Sequence, residues 1–295
     1  MTSGILLLDK PQGLSSNAAL QRVRYALGRI KGGHTGSLDP MATGMLPLCL
    51  GEATKVAGDL LEGRKTYTFT ARLGLRTSTG DVEGPVVQTV AVPHDAQARL
   101  AEVAVQMHGP SMQVPPMYSA LKRDGQPLYQ LARQGIEVER AARPIDIKSL
   151  QLLGTDGDDT HWRVDCSKGT YVRVLAEDLA ARIGTVAHLV ALRREAVEPF
   201  DAHPMVSLEQ VLEDPGSVVL LPADAALPQL VGLIVAAADV PRLLHGQAVQ
   251  VPGAAACARA RLYTPAGQFL GLGEVGPDGV VQPRRIFNEL AAQLT

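Results

Sequence analysis

The stretch Tyr67-Thr68-Phe69-Thr70-Ala71-Arg72-Leu73 decides the fold class of this 295-residue chain. Tyr67, Phe69, Ala71 and Leu73 alternate with Thr68, Thr70 and Arg72, the period of two that belongs to a strand with one buried and one wet face. A sheet is expected around it. Towards the N-terminus, residues 4–9 read as a short buried strand and Lys10-Pro11-Gln12-Gly13 as a turn. Ser15-Ser16 then caps a helix whose Ala19, Val23, Ala26, Leu27 and Ile30 share one face, with Gln21, Arg22 and Arg29 elsewhere. Towards the C-terminus, strands are expected at 145–153, 162–167 and 186–192, and helices at 97–107 and 172–183. Strands with helices inserted irregularly, rather than a βαβ repeat, predict an α+β fold with a mixed β-sheet and flanking helices.

Residues 1–200 are read as one main domain with an insertion around 76–150. From 201 to 240 the chain is acidic and broken by Pro204, Pro215, Pro222 and Pro228, which predicts a connecting region. Beyond it, short apolar runs at 258–263, 269–275 and 280–281 alternate with Pro265-Ala266-Gly267 and Pro277-Asp278-Gly279. Residues 241–295 are therefore expected to form a small all-β domain.

Apolar residues make up 46% of the chain and charged ones 20%, which excludes a disordered or fibrous protein. The apolar run Ile5 to Leu8 is too short for a signal peptide or membrane span and follows no basic segment, so a cytoplasmic, non-membrane protein is expected. Cys49, Cys166 and Cys257 stand far apart, with no metal-ligand or disulfide spacing. The net charge of −2 argues for no particular partner, but its distribution does. Residues 1–150 carry 17 Lys and Arg against 13 Asp and Glu, while 201–240 hold six acids and no base. Acid is concentrated in one stretch, leaving the remainder free to present basic surface to phosphate.

Between the first helix and the sheet lies Gly33-His34-Thr35-Gly36-Ser37-Leu38-Asp39-Pro40-Met41-Ala42-Thr43-Gly44-Met45-Leu46-Pro47-Leu48. Residues 31–36 are too rich in glycine for a regular element, so a loop is expected, and loops on rigid neighbours are where sites are built. Pro40 biases Asp39 towards extended backbone, so the loop presents one carboxylate. Taken alone, an Asp-Pro pair equally suits the capping of a turn. Likewise Tyr67 suits packing in a half-buried strand, Arg173 a surface ion pair, and His34 a plain loop histidine.

The whole run resembles the catalytic motif of the bacterial tRNA pseudouridine synthase B family. Further blocks in family order carry the same likeness: Leu8-Asp9-Lys10-Pro11, Leu48-Cys49-Leu50-Gly51-Glu52-Ala53-Thr54-Lys55, Tyr67-Thr68-Phe69, and Pro115-Pro116-Met117-Tyr118-Ser119-Ala120-Leu121-Lys122. So do Arg133-Gln134-Gly135-Ile136-Glu137, Cys166-Ser167-Lys168-Gly169-Thr170-Tyr171-Val172-Arg173 and Leu192-Arg193-Arg194. Gly271-Leu272-Gly273-Glu274 and Pro283-Arg284-Arg285 look like the small PUA-type RNA-binding domain that bacterial members append.

The resemblance implies an enzyme that isomerises the uridine at position 55 in the T-loop of tRNA to pseudouridine, on a flipped-out base, with no cofactor and no metal, acting as a monomer. It implies Asp39 as the catalytic aspartate, Tyr67 as the ring that stacks on the uracil, and Arg173 as the partner of the aspartate. Tyr171 and Leu192 would line the same pocket, and His34 would position the RNA. Lys10, Lys55, Lys122 and Lys168 are candidates for phosphate contact, although most surface lysines are solvating charges. Attack on the sugar carbon, addition to the base and abstraction of the 2′ proton all require Asp39 ionised. Two readings of other classes stand beside this one: an RNA-binding protein without catalysis, and a glycosidase, which would need a second acid near Asp39.

Overall fold

The computed structural model describes residues 3–123 and 125–288, so Met1 and Thr2 and the expected end of the C-terminal domain, 289–295, lie outside the described residues. The chain opens with β1 (Gly4–Lys10), α1 (Ser16–Ala26), β2 (Gly32–His34) and β3 (Thr43–Leu50). A 3₁₀ segment, Gly51–Val56, leads into α2 (Ala57–Glu62) and β4 (Lys65–Leu73). Next come β5 (Leu75–Thr77), β6 (Val86–Thr89), α3 (Ala96–Gln106) and β7 (Gly109–Gln113). Residues 114–123 and 125–142 form an arm with β8 (Lys122–Arg123), β9 (Gln126–Pro127) and α4 (Leu128–Arg133). Then follow β10 (Arg143–Asp156), β11 (Asp159–Cys166), α5 (Val172–Arg182), β12 (Ala187–Val197), β13 (Val206–Ser207) and α6 (Leu208–Glu213). The chain continues with β14 (Val231–Ile234), α7 (Val240–Leu244), β15 (Val249–Gln250), β16 (Cys257–Tyr263), β17 (Phe269–Val275) and β18 (Val280–Ile286).

The larger sheet runs β13-β1-β3-β12-β4-β11-β10-β7 and is mixed, because β1 pairs parallel with β13 and β3 parallel with β12 while the other neighbours are antiparallel. One face is covered by α1, α3, α5 and α6, which pack Leu20, Leu100, Leu175 and Val211 against Leu6, Leu48, Phe69 and Trp162. Over β1 and β3 the other face is buried as well: Ile5, Leu7, Met45 and Cys49 meet Val56, Leu60 and Phe200, together with Leu272 and Phe287 of the smaller sheet. Burial on both faces explains why these strands read as continuous apolar runs. Strand β4 shows clean alternation because Thr68, Thr70 and Arg72 face outward. The smaller sheet, β14-β16-β17-β18-β15, closes on its own core of Leu243, Leu262, Leu270 and Val281. No described helix is long and apolar enough to cross a membrane.

Three expectations need correction. The glycine-rich segment expected as a loop contains β2, which pairs Gly32–His34 with Leu50–Leu48 on the edge of β3 that β12 leaves after Gly44. A Cβ on Gly32 would lie 2.9 Å from the end of the Leu50 side chain, so a larger residue there would make that side chain shift. The stretch 201–240 is not a free connection: β13 extends the larger sheet, Ser207 and Gln210 form a reciprocal cap on α6, and β14 already belongs to the smaller sheet. Nor is 76–150 wholly an insertion, because β7 and the start of β10 are strands of the larger sheet, while the β5–β6 and β8–β9 hairpins form small sheets of their own.

Gly44 fixes the junction of β3 and β12. Its φ is +99°, and a Cβ would lie 2.2 Å from the carbonyl oxygen of Arg194. Gly44→Ala is expected to cost at least about 2 kcal/mol, through a disfavoured backbone conformation and a backbone clash. Gly33→Ala, where a Cβ would meet nothing within 4 Å, should be close to neutral. Urea unfolding of both variants checks this, and equal midpoints would contradict it.

Candidate active site

The segment between β2 and β3 is held on both sides of Asp39. The buried Ser16 hydroxyl accepts the Leu38 N–H at 2.7 Å and donates to the Leu38 carbonyl at 3.1 Å. The Gly13 N–H donates to the Pro40 carbonyl at 2.8 Å, and the Ala42 N–H to that of Asp39 at 3.0 Å. Arg194, from β12, donates Nε to the Met45 carbonyl at 2.7 Å and Nη2 to the Gly36 carbonyl at 2.9 Å. A carboxylate on a loop braced in this way is pre-aimed, which is what a reacting group needs.

Arg173, in the first turn of α5, meets it: Nε lies 3.0 Å from Asp39 Oδ2. Its other nitrogens donate to the carbonyls of Thr79 at 2.9 Å and Tyr118 at 2.7 Å. The guanidinium side chain is 6% exposed and the Asp39 side chain 39%, so the pair opens towards solvent on the carboxylate side. No other hydrogen bond to the Asp39 carboxylate is found among the described residues. Burial raises the Asp39 pKa above its ordinary value, Arg173 opposes this, and the charge of Asp81 adds to the rise.

Asp81, which the sequence reading missed, is 2% exposed. Its Oδ2 lies 3.8 Å from Arg173 Nε, and its Oδ1 accepts from the Thr79 hydroxyl at 2.6 Å and the Glu83 N–H at 3.0 Å. The signal was present in Thr77-Ser78-Thr79-Gly80-Asp81, a turn rich in hydroxyls that can hold a carboxylate inward. Arg194 and Gln113 were also missed as working residues. Gln113, 3% exposed, accepts the Tyr171 N–H at 2.8 Å and donates to the Tyr171 carbonyl at 3.2 Å, fixing the entry to α5.

Of the residues singled out in sequence, Tyr67 sits on β4 in register with Arg194, 9% exposed. Burial raises the pKa of its phenol, with Arg194 opposing, so the hydroxyl is neutral. Burial also raises that of Tyr171. Leu192 is buried on β12 opposite Phe69. His34, at the end of β2, has a buried Nδ1 without a hydrogen-bond partner, and burial followed by Arg194 lowers its pKa. A neutral imidazole with an unmet nitrogen suits a polar reader of a ligand.

The lysines divide. Lys10 is fully buried and donates to the carbonyls of Pro11 at 2.8 Å, Leu14 at 2.7 Å and Pro40 at 3.5 Å; burial pulls its pKa down to about 8. It braces the Asp39 loop and does not reach phosphate. Lys55 pairs with Glu52 and donates to the Ile286 carbonyl at 2.7 Å, so it joins the two sheets. Lys122 is exposed on the arm and Lys168 is exposed but paired with Glu62. Among the described residues, no three His, Cys, Asp or Glu side chains are grouped to hold a metal ion.

Residues 24–172 match the family described as TruB family pseudouridylate synthase (N terminal domain). Residues 173–228 match the tRNA pseudouridylate synthase B C-terminal domain, and 233–287 match pseudouridine synthase II TruB, C-terminal. The chain is 48% identical over 294 residues to a tRNA pseudouridine synthase B of Aromatoleum aromaticum, covering 99% of this chain and 94% of that one. It is 47% identical to one of Stutzerimonas stutzeri, covering 97% and 95%. Two solved structures share the fold at lower identity: a Cbf5-Nop10-Gar1 complex (TM-score 0.69, 23% identity, 96% and 84% covered) and an H/ACA RNP bound to a substrate RNA containing 2′-deoxyuridine (TM-score 0.71, 21%, 96% and 84%). The likeness thus runs along nearly the whole length of this chain and of the relatives it matches, and the chain belongs to the TruB family of pseudouridylate synthases.

Proposed function

We propose that this chain converts the uridine at position 55 in the T-loop of tRNA to pseudouridine, with Asp39, Tyr67 and Arg173 as its catalytic residues. The observation that carries the proposal is the Asp39–Arg173 pair, open to solvent on the carboxylate side and 3.0 Å apart. In this isomerisation the bond from N1 of uracil to the sugar carbon breaks, the ring turns, and a bond from C5 to the same carbon forms. The proton leaves C5 and N1 gains one, so neither redox equivalents nor phosphoryl energy is consumed.

The residues divide that work. Arg173 keeps Asp39 ionised and directed, against the upward pull of burial. A uracil stacked within RNA is out of reach, so it must be flipped out, and the ring of Tyr67 offers a replacement stacking face. Tyr171 and Leu192 line the pocket, and His34 reads the folded RNA. The exposed Lys122 and Lys168 are the lysines of the original set that remain available to phosphate. The protein is proposed to work as a cytoplasmic monomer; its free thiols Cys49, Cys166 and Cys257 fit a reducing compartment.

Asp39→Asn is expected to fold and bind tRNA while forming pseudouridine at least roughly a thousandfold more slowly in single turnover. Substantial turnover by the purified variant would remove Asp39 from the mechanism. Two substitutions separate ring from hydroxyl at Tyr67. Tyr67→Leu should lose roughly 1 to 3 kcal/mol from the state that the ring supports. Tyr67→Phe should keep tRNA affinity but lose most turnover, since phenyl cannot exchange a proton. Near wild-type turnover with Phe would leave stacking as the only role.

Protonation of Asp39 should set the acid side of the pH profile. Because burial raises its pKa, the single-turnover rate should fall with decreasing pH above the ordinary carboxylate range, where the charged form is lost. A rate that stays flat through that range would show that Asp39 need not be ionised.

A further inference from the structure

The longest stretch of this chain's first half without an acidic residue is 10–38, which holds the buried Lys10 and then Arg22, Arg24, Arg29 and Lys31. Arg24 is used internally, donating to the Ile30 carbonyl at 2.8 Å and to Gln21 at 2.8 Å. Arg22, Arg29 and Lys31 are exposed, and none has an ion-pair partner among the described residues. Among them stands Tyr25, 70% exposed, with the Arg29 guanidinium 5.4 Å from its ring centroid. The inward side of α1 is fully used, by Ala19, Leu20 and Val23 in the core. Its outward side carries an aromatic ring that nothing inside the protein needs.

Backbone geometry singles out the same spot. Arg29 is the single non-glycine residue with positive φ, +62°, among the described residues. Such a conformation costs on the order of 1 kcal/mol, and an observed outlier of this kind is a reason to look for function. Here it accompanies the end of α1, where the Arg29 N–H donates to the Arg24 carbonyl at 2.6 Å, and the Arg29 guanidinium lies near the exposed Tyr25 ring.

At Lys31 the patch borders the segment that reaches the smaller sheet, and it lies away from Asp39. The Gly51 N–H donates to the Lys31 carbonyl at 2.7 Å, and Gly32 pairs with Leu50. Leu50, beside Lys31, lies six residues along β3 from Gly44, about 20 Å at roughly 3.4 Å per residue, and Tyr25 lies nine residues along α1 from Ser16, about 14 Å at roughly 1.5 Å per residue. Next to Lys31, the carboxylate of Glu52 is occupied by Lys55 and by the Asn288 N–H, so it leaves little negative charge. From there Arg285 binds the Lys55 carbonyl, and Arg284 and Arg285 are exposed on the smaller sheet.

We propose that Arg22, Tyr25, Arg29 and Lys31 form a second RNA contact, which takes phosphates and one unpaired base of the substrate several nucleotides from the target uridine. The inference rests on the reading of tRNA as the substrate. Guanidinium and ammonium groups supply phosphate contacts, and the Tyr25 ring with Arg29 behind it forms a stacking platform. A protein partner would have no evident use for a lone ring edged by three cations.

The test compares full-length tRNA with an isolated T-arm stem-loop, using the full chain. Arg22→Gln combined with Arg29→Gly removes two charges, and glycine keeps the positive φ at position 29. This variant should bind full-length tRNA about tenfold more weakly at 0.1 M salt, with the slope of log affinity against log salt reduced by about 1 to 2. Tyr25→Ala should weaken it roughly fivefold or more, and Tyr25→Phe should restore it. Stem-loop affinity and the single-turnover rate on bound RNA should match wild type in every case. Wild-type affinity and salt slope for full-length tRNA in the charge variant would overturn the proposal, as would an equal loss with the stem-loop. If wild-type protein forms no pseudouridine in either RNA, the functional reading fails, while the binding comparison still decides the surface.

Discussion

Arg194 is a cation sealed inside the protein, 1% exposed, with no carboxylate in ion-pair range among the described residues. Its charge is met instead by main-chain carbonyls of Gly36 and Met45, one on each side of the Asp39 loop. Lys10, equally buried, does the same for Pro11, Leu14 and Pro40. Desolvating two such groups is costly, and the cost is offset only while the carbonyls stay in place. The arrangement therefore makes loop order a condition for burying the charges. Gly36 and Gly44, both at positive φ, let the chain come close enough to Arg194 to be held.

Arg173 imposes a second constraint of the same kind. One guanidinium joins Asp39, the turn at Thr79 and the arm at Tyr118, three segments far apart in sequence. Asp81 shares it at longer range, so the guanidinium stands between two carboxylates of unequal exposure. Asp81 is enclosed and fully engaged by Thr79 and Glu83, whereas Asp39 retains an open side. That asymmetry separates the carboxylate that can meet a substrate from the one that orients the arginine. Because the arm shares the same guanidinium, its position is tied to the geometry of the Asp39–Arg173 pair.

Much of this was legible in the residues. The alternation in β4 could be read because one face of that strand is wet, and Asp39, Tyr67 and Arg173 stood in long blocks whose order carries information. What escaped was tertiary in origin. Two residues, Val206 and Ser207, are too few to show a period, yet they extend the larger sheet. Glycine hid β2, since Gly32 and Gly33 read as loop residues although they pair with Leu50 and Cys49. Lys10 looked like surface because lysine usually is, and nothing local reveals three carbonyls converging on it. Asp81 lay in a hydroxyl-rich turn whose inward direction depends on the guanidinium beyond it.

The packing of Leu272 and Phe287 against Ile5 and Leu7 has a consequence for biosynthesis. β1 and β3 are synthesised well before β17 and β18, so a nascent chain can pair β1 with β3 and cover part of their back with Val56, Leu60 and Phe200 while the places of Leu272 and Phe287 are still empty. Apolar surface left open in this way favours self-association during synthesis.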